Sequence, residues 1–437
     1  MITAILIFVL AYMMIASEKV DKTLAALMGA VAMVVSGAAP YAKALHAIDM
    51  NVIFLLMGMM VIVGIMSQTG VFEWLSIHLA RMAHGNGVVI MASFLIMTAV
   101  ISAFLDNVTT IIMVAPLTIL VTQILEIPTK PLLILEAIFS NIGGTATLVG
   151  DPPNILIGMK APLSFNAFIL NLTPIVLIIL LASAVVVTLQ YRKVMRSSEA
   201  GRDRIRRAKP ELAILQPVEL RRSLVVFCAV LIGLFTGRFF NIEPGLLALA
   251  GAVAMALVTR REAHEILGYV EWNTIFFFVG LFMMIFGLEH NGIFEAMGRG
   301  MLELTGGNLL ITALVLLWFS AIASAIVDNI PLVMAMIPLV KTMAPVFAKQ
   351  MGLEGQAEEI AIQITNPLFW SLALGACLGG NGTLVGASAN VVISQIAKRN
   401  NQGFTFWEFT KIGFPLMIFS LVFSTLYIYM RYFMMKG

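Results

Sequence analysis

The sequence predicts an all-α polytopic membrane protein of two inverted repeats, with about ten transmembrane helices, two re-entrant hairpins and two broken helices. Three observations predict it. The chain is 60% hydrophobic and 12% charged with a mean hydropathy of +0.97, far from the usual composition of a soluble domain. Apolar runs of helix-spanning length recur along all 437 residues, which leaves no room for a soluble catalytic domain. The third is duplication. A shift of 222 residues (273 − 51) lays NVIFLLMG at Asn51 on NTIFFFVG at Asn273, and SAFLDNVTTIIMVAP on SAIVDNIPLVMAMIP without a gap. NIGGTATLVGDPPN, from Asn141 to Asn154, returns as CLGGNGTLVGASAN, from Cys377 to Asn390, at a shift of 236 (379 − 143). The second half therefore holds 14 more residues between the motifs (236 − 222).

In chain order, the first repeat (1–191) begins with apolar helices at about 2–16, 23–38 and 50–68. The first lacks a basic leader and a small-residue cleavage site, so it reads as a retained span. VFEWLSIHLARMAHG follows as an amphipathic, interfacial segment. Two apolar runs then share 87–127, separated only by Asp106 and Asn107, a connection too short to emerge into water. This is the first hairpin, with DNV at its tip. A broken helix follows over 131–158, because paired glycines and Pro152-Pro153 cannot continue a helix through TATLVGDPPN. A last span at 166–191 reaches a basic linker, 192–222, with ten Lys or Arg against four acids, which reads as a solvated cytoplasmic loop. The second repeat, 223–437, carries its hairpin at 307–345 and its broken helix at 361–395.

With the hairpins counted as non-crossing, each half crosses five times. An odd number inverts one half relative to the other. A cytoplasmic linker places 19 of the 27 Lys and Arg inside, and both termini outside.

Non-helical backbone at membrane depth is tolerated where it lines a cavity or is buried in protein, so both breaks should face a binding site. A carboxylate at the bilayer centre costs roughly 2.5 to 3.5 kcal/mol on insertion scales, yet Asp106 and Asp328 recur at both tips. With Asn107, Asn329 and Thr109 they are candidates for a coupling ion, although Asp and Asn also cap helix N-termini. Gly143, Gly144, Thr145, Thr147 and Asn154, with Gly379, Gly380, Asn381, Thr383 and Asn390, are candidates for binding a small solute through amides and hydroxyls. Glycines there would also serve close helix packing. Asp151 has Ala387 as counterpart, which suggests a proton-handling role unique to one half, or a loop cap. Glu136 reads equally as a proton site or a partner for a buried cation. Cys228 and Cys377 stand apart with no CxxC, so packing is expected of them and no metal site or cofactor, the coupling ion H+ or Na+ aside.

At DNVTTIIMVAP and NIGGTATLVGDPPN the chain resembles the ArsB/NhaD branch of the ion transporter superfamily, including P protein-like permeases, over essentially its whole length. The resemblance implies a scaffold part and a moving transport part, a homodimer, and no enzymatic activity. It favours proton-coupled efflux of arsenite or antimonite, with a sodium/proton antiporter or a sodium-coupled small-anion or carboxylate permease as the alternatives. An arsenical pump would bring a soluble ATPase subunit; otherwise the partners are the small solute and the bilayer, not nucleic acid. No arginine is evident near the motifs, which weighs against a naked carboxylate substrate. A paired intramembrane Asp also occurs in aspartyl proteases, but the chain has no GxGD motif. The expected location is the inner cell membrane.

Overall fold

The computed structural model describes residues 1–17, 19–161 and 163–434. It is helical throughout, and the described residues form no strand. Ten of its helices are long and apolar enough to cross a membrane. The protein is a polytopic membrane protein. The ten include all four hairpin arms, whereas Ile2–Ile15, Lys22–Val35 and Pro244–Thr259 are shorter.

In the first repeat, α1 (Ile2–Ser17) and α2 (Lys22–Val35) precede a short α3 (Tyr41–His46). Asp21 caps α2 by accepting from Thr23 N and Leu24 N. The central α4 (Met50–Ser67), capped by Asp49, leads into the amphipathic α5 (Val71–Met82). Gly70 joins them with φ +81°, and its counterpart Gly292 has φ +70°, left-handed backbone that favours glycine in both repeats. The hairpin arms are α6 (Gly87–Phe104) and α7 (Asn107–Leu125). The broken helix is α8 (Thr129–Gly144) and α9 (Pro152–Lys160).

The expected span at 166–191 is two helices, α10 (Phe165–Asn171) and α11 (Thr173–Tyr191). Pro174 has no N–H to continue the ladder, and the neighbouring Thr173 Oγ1 donates across to Ala146 O at 2.9 Å, which ties this junction to the break. The linker also differs from the solvated loop expected. It carries α12 (Glu199–Arg207), whose Ile205 is buried, and Ser198 N donates to Leu125 O at 3.2 Å at the base of the hairpin.

The second repeat starts at α13 (Pro217–Thr236), six residues before the expected 223, because Pro217 supplies a helix start ahead of the apolar run. Then come α14 (Pro244–Thr259), α15 (Ala263–Leu267), α16 (Trp272–His290) and α17 (Ile293–Leu304). The second hairpin is α18 (Leu309–Ile326) and α19 (Asn329–Gln350), its second arm running past Pro345. The broken helix opens with α20 (Ala357–Ile360) and a π turn at 361–365. It continues as α21 (Asn366–Gly379) and resumes as α22 (Ser388–Arg399). α23 (Phe406–Tyr429) and a π turn at 430–434 are the last described elements.

The repeats exchange contacts reciprocally. α2 lies along α16, with Thr23 Oγ1 donating to Asn273 O, and α14 lies along α4, with Gly245 N donating to Asn51 Oδ1. Likewise α9 packs on α19 and α22 on α7. Such mutual exchange is the signature of two-fold symmetry. Direction follows from neighbours. The C-terminal turn of α4, at Gly64, abuts Tyr269 just before α16 begins, so these counterparts run in opposite directions. The base of the first hairpin sits at the linker, with Gly87 against Met195, while the base of the second lies towards the C-terminal end of α16. Their tips therefore approach from opposite faces.

Candidate functional site

Both tips line one cavity of about 470 Å³. Asp106 and Asp328 start α7 and α19, and each accepts an N-cap hydrogen bond through one oxygen, from Thr109 N at 2.9 Å and from Ile330 N at 3.1 Å. The second oxygens differ. Asp106 Oδ2 is taken by Thr109 Oγ1 at 2.5 Å, whereas Asp328 Oδ2 accepts from Lys22 Nζ at 3.3 Å and from Ser388 Oγ at 2.8 Å. Capping is thus real at both tips, and at Asp328 the carboxylate also faces the cavity with a cation beside it. Asp151 is fully buried; its Oδ1 accepts from Asn107 Nδ2 at 3.2 Å, while Oδ2 lacks a close hydrogen-bond partner, with the Cys377 and Asn329 side chains beside the carboxyl.

An amide cluster lies behind the tips. Asn107 Nδ2 donates to Asn141 Oδ1 at 3.1 Å, and Asn141 Nδ2 donates to Asn381 Oδ1 at 2.9 Å and Asn390 Oδ1 at 3.0 Å. Asn141 therefore bridges the repeats. Its counterpart is Cys377 (377 − 236 = 141), buried, with Sγ 3.5 Å from Asn154 Oδ1. That exchange leaves Asn329 Nδ2 without the partner that Asn107 Nδ2 has, and Asn381 Nδ2 is also unpartnered.

Of the sixteen candidate residues, Asp106, Asn107, Asp151, Asp328 and Asn329 line the cavity. The other eleven do not line it. Asn154 Nδ2 donates to Thr145 O and Thr147 O, and Asn390 Nδ2 to Gly380 O and Thr383 O, stapling each unwound stretch to itself. Thr147 Oγ1 donates to Ala103 O and Thr383 Oγ1 to Ala325 O, so these hydroxyls, expected to meet solute, tie each break to its hairpin. Thr145 Oγ1 donates to Asn141 O at 2.7 Å. A Cβ on Gly143 would lie 2.0 Å from Ala99 O, and one on Gly379 2.5 Å from Ala321 O, so both glycines allow helix contact. Gly144 and Gly380 let the backbone of Gly150 and Gly386 approach in the same way.

The motifs did not reveal Lys22, Ser388, Asn141 or Glu271. Lys22, expected to count only towards the inside charge, is the basic side chain that lines this cavity, and its repeat counterpart is Pro244. A charge or amide present in only one repeat is the signal that would have found it. Among the described residues no group of three or more His, Cys, Asp or Glu is placed to hold a metal ion.

A helical membrane protein whose two hairpin tips and two broken helices converge on one polar cavity has the architecture of a secondary transporter. The chain belongs to the CitMHS citrate transporter family, whose model matches residues 12–375. It is 41% identical to an uncharacterized transporter of Mycobacterium bovis over 99% of both chains. A 46 kDa membrane protein of Mycobacterium leprae is 37% identical over the full length of each. The P protein of Mus musculus is 30% identical over 98% of this chain and 60% of its own. Family and relatives place the chain among membrane transporters.

Proposed function

We propose that the chain is an ion-coupled secondary transporter in which Asp151, with Asp106 and Asp328, holds the coupling ion, H+ or Na+, beside a small hydrogen-bonding solute. The observation that carries this reading is the buried carboxyl of Asp151 in the cavity wall, whose Oδ2 lacks a close hydrogen-bond partner and lies beside the likewise unpaired Nδ2 of Asn329. A buried carboxylate oxygen without a partner costs free energy until a proton or cation arrives, and a bare amide N–H until a solute oxygen does. The site is poised for both.

Lys22 shapes the choice of solute. A cation next to Ser388 and Asp328 suits a carboxylate, the class named in the matching family's description. Asp21, Asp106, Asp151, Glu271 and Asp328 also line the cavity, so such a solute is best carried with an accompanying cation. Arsenite or antimonite efflux, with membership of the ArsB/NhaD branch, is the second reading. An undissociated trihydroxy solute needs neutral donors and acceptors, which the asparagine cluster supplies.

We place the linker in the cytoplasm and both termini outside, from the charge distribution. A homodimer accords with the resemblance, and a soluble ATPase subunit belongs only to the arsenical reading. Proteoliposome flux of citrate with and without Mg2+, of arsenite and of Na+, each with and without a proton gradient, separates the readings. Lys22→Met should abolish citrate flux and spare arsenite flux, whereas Asp328→Asn and Asp151→Asn should abolish coupling in either. Wild-type gradient dependence in both Asp variants would remove these carboxylates from the mechanism.

A further inference from the structure

The interface of α7 and α8 carries a polar row of which the other repeat keeps only Thr365, the counterpart of Thr129 (129 + 236 = 365). Starting near the linker, Thr129 Oγ1 and Thr122 Oγ1 lie 2.8 Å apart, Thr122 Oγ1 also donates to Thr118 O at 2.7 Å, and Thr118 Oγ1 donates to Glu136 Oε1. One helical turn further along α8, Ser140 Oγ donates to Asn107 O at 3.2 Å, and Asn107 bonds both Asn141 and Asp151. Glu136 is fully buried, and its Oε2 has no partner. Along the helix it stands about 10 Å from Thr129 and about 7.5 Å from Asn141 at 1.5 Å per residue, between the linker face and the site.

The duplication is an internal control. The counterparts of Thr118, Thr122, Glu136 and Ser140 are Val340, Ala344, Leu372 and Ala376, all buried. An apolar row therefore packs the same interface of the same fold, so packing alone does not require a carboxylic acid there. Nor does a fixed counter-ion hold it. Helices α6 and α7 carry no ionisable residue. The other helices packed on α8 bring Tyr191, Cys377, Lys398, Arg399, Glu408, Lys411, Tyr427 and Tyr429, and Lys130 lies on α8 itself. Among the described residues none of them forms an ion pair or hydrogen bond with Glu136, whose one partner is Thr118.

We infer that Glu136 is a proton-binding residue of the transport cycle, exchanging its proton with water through the linker side in one of its two states. Uptake forms one O–H bond on its carboxylate, with no counter-ion needed in the neutral form. Release returns that proton to water in the opposite conformational state, so each cycle carries one proton through this residue. A carboxylate with one hydroxyl partner in a dry interface suits this alternation, since it is tolerated neutral and strongly disfavoured charged.

The inference rests on the transport reading for its coupling role, but not for proton binding, so two measurements keep them apart. The first needs no solute: pH-difference infrared spectra of the purified protein, with the proton itself as ligand. A titrating carboxylic acid C=O band should be present in the wild type and missing in Glu136→Gln. The second is flux of citrate and arsenite across a pH series, where Glu136→Gln should lose the pH dependence by ten-fold or more while keeping gradient-free exchange. The double variant Glu136→Leu, Thr118→Val copies the apolar pair of the second repeat; it should match the wild type in melting temperature and Glu136→Gln in flux. An unchanged infrared difference spectrum in Glu136→Gln, or a lost band with a wild-type pH profile of flux, overturns the inference. If wild-type protein transports neither solute, the transport reading fails, while the infrared result still decides whether Glu136 binds a proton.

Discussion

Thr147 shows how a side chain in a binding motif serves the scaffold. Its hydroxyl donates to Ala103 O in the hairpin, and Thr383 does the same to Ala325 O in the other repeat. Valine keeps the shape but leaves a buried carbonyl unpaired, at about 1 to 3 kcal/mol. Thr147→Val and Thr383→Val should therefore lower the melting temperature in detergent while flux per folded molecule stays near wild type. A loss of solute affinity without loss of stability would return these hydroxyls to the solute. Cavity-facing polarity belongs instead to Asp151, Asp328 and Lys22, whose partners come from elements distant in sequence. Local pattern cannot supply such a partner: Lys22 and Asp328 are 306 residues apart.

At the scale of elements, the breaks hold their shape because each glycine pair lets three segments meet. A Cβ at Gly143 or Gly379 would overlap the backbone of Ala99 or Ala321, and backbone cannot move aside as a flexible side chain does. Overpacking of this kind costs about 1 to 3 kcal/mol and occasionally more. Gly300 sits inside α17 with nothing within 4 Å of its would-be Cβ, so alanine there should stabilise by about 0.5 to 1 kcal/mol. Thermal unfolding of Gly143→Ala, Gly379→Ala and Gly300→Ala should show two losses and one gain. Equal melting temperatures across the three would show that these helix contacts are looser than described. The hairpin arms and breaks were legible from the DNV tips, Gly-Gly and Pro-Pro. The split at Leu172 is signalled by Pro174, which the reading of 166–191 as one span passed over, whereas the docked α12 depends on a partner, Leu125 O for Ser198, that local sequence does not specify.

For the whole molecule, two cavities lie towards opposite ends of the same helices. The site is lined by Lys22, the N-terminal turn of α16 and Gln395. A second cavity, of about 560 Å³, is lined by Lys160, Lys341 and the C-terminal half of α16, including Glu289. Helices α9, α16 and α19 each run from one to the other, as alternating access requires. In a background with Cys228→Ser, which removes the exposed thiol, Gln395→Cys and Lys341→Cys should react with an impermeant maleimide from opposite sides of a vesicle. Labelling of both from one side would contradict this arrangement of the faces.

The sequence by itself determined the membrane class, the duplication, both hairpins and both breaks. Hydropathy and the turn chemistry of Gly, Pro and Asp act over a few residues and repeat at a fixed shift. Only the tertiary structure decided which of the sixteen candidates face the cavity, that Lys22 stands beside Asp328, and that Asn141 ties one repeat to the other. Those contacts join residues hundreds of positions apart, and a hydroxyl in a motif reads the same whether it meets a solute or a carbonyl of its own chain.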